Sequence, residues 1–184
     1  MLPLSERTSM FAERLRAVGG VPYLVRPPDL LDTVAGLIDA HRPVLLTPET
    51  AWLASELDEW GIEAVITSAA PAELEPALRR CGAGVTGCVA AAASTGTVLV
   101  GPEGGGGGLA SSLPERHVVL VRESDIHATL GEVLSVLAER FGELDGEAVL
   151  ITGPSRTADI EMMSVVGVHG PLSLDVVIIL AEGA

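Results

Sequence analysis

The chain has 184 residues, of which 11 are basic and 25 acidic, for a formal net charge of −14 at pH 7. Every basic residue is Arg, which excludes a Schiff-base lysine and a P-loop with its phosphate-binding Lys. The acidic balance also argues against a nonspecific nucleic-acid binder and against docking on an anionic membrane.

Hydrophobic residues make up 48% and charged residues 20%, a globular composition. Only 3% is aromatic, so the core must come from Val, Leu, Ile and Ala. That suits buried parallel strands covered by helices. The length suits a single domain over residues 1–184. Cys81 and Cys88 form no CxxC motif, and an iron–sulfur cluster takes about four thiolates. The chain is therefore expected to bind no cluster and to carry two reduced, buried thiols in the cytoplasm. Glu6, Glu13 and the arginines interrupt the N-terminal 16 residues, so no signal peptide is read there. The uncharged run over residues 81–102 is Gly-broken and Leu-poor, and reads as buried core and not as a membrane span.

In chain order, the spacing of Phe11, Leu15 and Val18 predicts a helix over about residues 5–18, stopped by Gly19 and Gly20. Residues 21–25 read as a strand. Asp29 can cap a helix to about residue 40, with Leu30, Val34, Leu37 and Ile38 inward. Residues 44–46 read as a buried strand. Pro48 opens a helix that ends near Gly61. A strand follows over residues 62–67 and a helix over 71–80. Residues 97–100 and 117–121 are apolar strands joined by a glycine-rich loop, 101–110. If that neighbouring pair is antiparallel, the sheet is mixed. Residues 125–141 read as a long helix, 148–152 as a strand, 157–165 as a helix and 174–180 as a final strand. This alternation predicts an α/β fold: three layers around a mostly parallel, mixed central sheet.

Four segments can carry chemistry. The run AVLITGPSRTADIE takes a strand into a sharp turn and then the expected helix. Gly153, Ser155, Arg156 and Thr157 there can bind an anion through amides, hydroxyls, a guanidinium and the helix dipole. A plain strand-to-helix turn explains the residues equally well. Asp159 can orient Arg156 or meet a ligand hydroxyl, although the helix dipole alone accounts for it. In Gly167-Val168-His169-Gly170-Pro171, an exposed His169 can act as general acid/base. Thr95 and Gly96, in Ser94-Thr95-Gly96-Thr97, can approach a ligand at a strand start, or simply make a turn. The five glycines at 104–108 lack the context of a dinucleotide fingerprint and read as a hairpin tip or lid. His41, His117 and His127 have weaker contexts, and no metal-ligand spacing is present.

TGPSRTADIE followed by GVHGP, with STGT and SSLPERHVVLV upstream in matching order, resembles the lactate-utilisation (LUD) domain family, of the lactate utilisation protein C type. The resemblance is strong over about residues 85–180. It implies a fold similar to the NagB/RpiA/CoA-transferase-like superfamily, with a ligand cleft at strand ends. It also implies a part in oxidising L-lactate to pyruvate beside iron–sulfur partner proteins, this chain being the cluster-free member. On the matching motifs it points to His169 and Asp159 as catalytic. Gly153, Ser155, Arg156, Thr157, Thr95 and Gly96 would bind a small organic anion. The chain departs from the family pattern at Ser94, where an acidic residue is usual, and at Gly108, where an Arg is usual. A stand-alone isomerase or acyl/CoA-transfer enzyme, and a non-catalytic scaffold, remain open alternatives.

Overall fold

The computed structural model describes residues 4–38, 43–101, 107–140, 148–158, 164–166 and 170–181; at 4, 71, 156–158 and 164–166 it describes the backbone alone. Six strands form the central sheet: β1 (Val21–Val25), β2 (Val44–Leu46), β3 (Ala64–Ile66), β4 (Ala83–Gly87), β7 (Arg116–Arg122) and β12 (Ser173–Ile179). Their order is β1-β12-β7-β4-β2-β3, and every pairing is parallel. The central strands are apolar runs because both of their faces are covered. Val118 of β7 and Val177 of β12 join one core, while Val119, Val121, Val176 and Ile178 join another on the opposite face.

The first face is covered by α2 (Leu30–Ile38) and α3 (Leu53–Glu59), which contribute Val34, Ala35, Ile38, Leu53 and Leu57. The second is covered by α1 (Leu4–Ala17), α4 (Pro71–Leu78), α5 (Gly107–Ser112) and a further sheet. That sheet joins β5 (Ala90–Ala92), β6 (Thr97–Val100), β8 (Ile126–His127) and β9 (Val149–Ile151) in the order β8-β5-β6-β9. α6 (Leu130–Arg140) packs on it through Val133 and Leu137. The α/β fold expected from the sequence is therefore present. The antiparallel pairings fall outside the central sheet, in the second sheet and in a separate two-stranded pair over residues 156–158 and 164–166, and β6 and β7, the strands flanking the glycine run, belong to different sheets.

α1 ties the two sheets together. Phe11 and Leu15 are fully buried between them. Glu6 in its first turn and Arg14 and Arg16 in its last suit the helix dipole. It ends where Gly19 takes a left-handed φ of 90° and the Gly20 N–H reaches the Leu15 carbonyl at 2.9 Å.

Three local expectations need correction. The helix expected over residues 157–165 is not there at residues 157–158 and 164–165, which are extended; residues 159–163 lie outside the described residues. Arg156–Ala158 (β10) and Ser164–Val166 (β11) pair antiparallel, with Thr157 opposite Val165. β-branched Thr157, Val165 and Val166 favour that extended backbone. Residues 125–141 do not form one helix either. Ile126–His127 pairs with β5, and α6 begins only after Thr129, whose hydroxyl accepts the Glu132 N–H at 3.3 Å while Glu132 Oε2 accepts the Ala128 N–H at 2.8 Å. The glycine-rich loop ends earlier than residue 110, because Gly107 opens α5. Residues 102–106 lie outside the described residues.

Candidate functional site

The second sheet stands off the central one at one end, and a cavity of about 770 Å³ opens between them. Its walls come from α5 and the following turn (Ser111, Ser112, Leu113), from β9 and the turn after it (Val149 to Ser155) and from Gly170 and Pro171. Its floor is His117 and Leu174. These are the second residues of β7 and β12, so the cavity lies at the amino end of the parallel strands.

Two of the turns singled out from the sequence meet here. The Ser155 N–H donates to the Pro171 carbonyl at 3.0 Å, and Gly170, at a φ of 97°, lies against the Ser155 side chain. Gly153 is set by packing: at its φ of 78° a Cβ would run into the Val18 carbonyl at the end of α1. A hydroxyl chain links the third turn. Thr95 Oγ1 lies 2.7 Å from Thr97 Oγ1, which lies 2.8 Å from Thr152 Oγ1 in the cavity wall.

Of the residues read from the sequence, Gly153 and Ser155 line the cavity. Thr95 and Gly96 do not line it. They form the turn between β5 and β6, where Gly96 packs on the backbone of Arg14 and Leu15. Arg156 and Thr157 open β10, so the helix N-terminus expected at these residues is replaced by a strand. Their side chains, and Asp159 and His169 entirely, lie outside the described residues.

The sequence reading gave His117 only a weaker context. It is fully buried, and its Nε2 lies 2.9 Å from the hydroxyl of the equally buried Thr86. Either atom can be the donor; the buried Thr86 hydroxyl makes no other hydrogen bond among the described residues, which favours its donating. With Thr86 as the donor, Nε2 accepts and the ring proton sits on Nδ1. Nδ1 has no partner among the described residues. Burial pushes the pKa of His117 down to about 3, so the ring is neutral across the physiological range. The signal was the single imidazole inside the apolar run His117-Val118-Val119-Leu120-Val121.

The carboxyl end of the sheet is different. β2 connects to β3 on one side and β4 connects toward β7 on the other, so the two adjacent strands diverge at a topological switch point. A crevice of about 160 Å³ lies there, lined by Glu49, Thr50, Gly87, Cys88, Arg122 and Asp125, among others. Glu49 Oε1 accepts the Gly87 N–H at 3.3 Å, and Thr50 donates to the Thr47 and Val85 carbonyls. The Cys88 thiol donates to the Ala90 carbonyl at 3.1 Å, and burial pushes its pKa up to about 12. Cys81 and Cys88 are free thiols in partly buried residues. Among the described residues, no group of three or more His, Cys, Asp or Glu can hold a metal ion. No helix there is long and apolar enough to cross a membrane.

The geometry defines a parallel α/β protein whose second sheet walls a cavity at the amino end of the first. The model of the LUD domain family matches residues 8–179, and the chain belongs to that family. It is 31% identical to lactate utilization protein C of Deinococcus radiodurans over 182 residues, 96% of this chain and 82% of that protein. It is 34% identical over 90 residues to lactate utilization protein C of Geobacillus sp. (strain WCH70), covering 47% of this chain and 37% of that protein. The crystal structure of a DUF162 family protein from Deinococcus radiodurans superposes with a TM-score of 0.75 at 23% identity, covering 98% of this chain and all of that one, which shows the shared fold.

Proposed function

We propose that this chain serves lactate utilisation in the cytoplasm, as the cluster-free member of a system that oxidises L-lactate to pyruvate. The observation that carries the reading is the 31% identity to a lactate utilization protein C along 96% of the chain. The amino-end cavity, walled by Gly153, Ser155, Gly170 and Pro171 of the family motifs, would receive a small organic anion. Arg156, at the start of β10, would supply the guanidinium, and His169 and Asp159 the proton transfer.

Oxidation of lactate to pyruvate releases an electron pair and protons. The reading assigns the electrons to iron–sulfur partner proteins, since two cysteines are too few to ligate a cluster. Two measurements test it. Affinity purification from the native host should recover iron–sulfur proteins, and lactate-dependent dye reduction should appear only when they are added. Robust dye reduction by the purified chain alone would overturn the division of labour. An Arg156→Ala variant should lose at least tenfold in affinity for the anion, the worth of a charge-assisted pair. Unchanged affinity removes Arg156 from the site.

A further inference from the structure

The cavity is far larger than lactate. At about 30 Å³ for each water in the liquid, about 770 Å³ amounts to on the order of 25 waters, within the range of drug-sized sites. Half of its described lining residues are apolar: Leu113, Val149, Leu150, Ile151 and Leu174, with Pro154 and Pro171. Against these stand the hydroxyls of Ser111, Ser112, Thr152 and Ser155, and the imidazole of His117. No acidic or basic side chain is among the described lining residues. A buried N–H without an acceptor is costly, so the Nδ1 of His117 calls for one.

We propose that His117 is a specificity-determining residue, whose Nδ1–H donates to a carbonyl or carboxylate oxygen at the head of a mainly apolar acyl molecule. The proposal rests on the reading of this cavity as an organic-anion site, and adds an apolar tail to the anionic head. Thr86 is the positioning residue. By donating to Nε2 it would hold the proton on Nδ1, so that the nitrogen left without a partner among the described residues is the donor. The apolar tail lies along Leu113, Leu150 and Leu174. Leu113 and Leu150 are 54% and 43% exposed, so they form the mouth through which such a tail would leave. The ring takes no proton in this role and discriminates in favour of acceptors. A protonated amine head of the same length has no acceptor to offer and is refused.

The probes are pyruvate, 2-oxooctanoate and octylamine, titrated calorimetrically into the full chain. Each buried methylene is worth about fourfold in affinity, so 2-oxooctanoate should bind at least tenfold tighter than pyruvate, and octylamine should not bind. His117→Phe, which keeps an aromatic ring in place, should weaken 2-oxooctanoate about tenfold. A readout on the unaltered protein guards against a variant that fails to fold. In a long-range ¹H–¹⁵N spectrum, His117 should carry its proton on Nδ1, and that resonance should move when 2-oxooctanoate is added. Leu113→Trp, at the mouth, should block binding without touching His117.

If Leu113→Trp blocks binding while the His117 resonance stays fixed, the cavity reading stands and the role of His117 is overturned. A proton found on Nε2 has the same consequence. If none of the three probes binds, the inference and the cavity reading fall together.

Discussion

The two ends of the parallel sheet have divided size and charge between them. The amino end has the large cavity, with hydroxyls, one neutral imidazole and no charged residue among those described in its lining. The carboxyl end has the switch point and three charged side chains, Glu49, Arg122 and Asp125, around a crevice about a fifth as large. Open α/β sheets usually bind ligands at the carboxyl end. Here short helical turns and the bond from Gly87 to Glu49 close that end tightly. The space lies where the second sheet stands away from the first. A sheet added to one face can thus move the roomy site to the opposite end of the strands.

That contrast can be broken most severely at Gly84. A Cβ there would collide with the Ala110 carbonyl of α5, a wall of the amino-end cavity. Gly84→Val should therefore cost about 3 kcal/mol, by urea denaturation. A loss under about 1 kcal/mol would mean that α5 shifts freely and that the cavity is not firmly walled.

The next effect is a pH dependence owed to His117. Its folded pKa of about 3 lies below the ordinary value of about 6.5. The unfolded chain therefore binds a proton in that window that the folded chain refuses. The contribution to stability is complete above pH 6.5 and shrinks as pH falls toward 3. Going from pH 7 to pH 5 should cost about 2 kcal/mol from this residue alone. His117→Phe should flatten that slope, and an unchanged slope would show that the ring is not held neutral.

At the carboxyl end the expected effects are smaller. Cys88 should react with iodoacetamide at pH 8 at least tenfold more slowly in the native protein than after unfolding, since its raised pKa leaves little thiolate. Fast native alkylation would reopen thiol chemistry in the crevice. Glu49→Gln retains a carbonyl for the Gly87 N–H and should change stability by no more than about 0.5 kcal/mol. A large loss would mean that the carboxylate charge, and not only its acceptor oxygen, holds the carboxyl end closed.

How much of this could be read from residues depends on where each constraint originates. β7, β12, α1 and α2 were legible because their apolar patterns are strong over several residues. The true start of α6 was also legible, in Thr129 and Glu132, but the apolar spacing from Ile126 masked it. β4 and β5 were not anticipated, because Ala-Gly-Val-Thr-Gly and Ala-Ala-Ala have poor strand propensity. Their small side chains answer to neighbours far along the chain: Gly84 gives way to α5, and Ala90 and Ala92 to α6. The pairing of β10 with β11 was missed because Ser, Thr and Asp after a strand also suit a helix start. In the site, the turns at 153–155 and 170–171 stood out by composition. His117 did not, because its meaning comes from a bond to Thr86 on the neighbouring strand.

The grip of α1 has a consequence for how the molecule is made. Its seats are the turns at Gly96 and Gly153, and the next strand in the chain, β1, pairs with β12. A ribosome delivers α1 and β1 long before any of these partners. β1 must wait until β12 has emerged, and the cover over Phe11 and Leu15 is incomplete before then. Assembly is therefore committed late, by closure of long loops, and slow folding with a need for protection during synthesis is the cost of joining two sheets with one early helix.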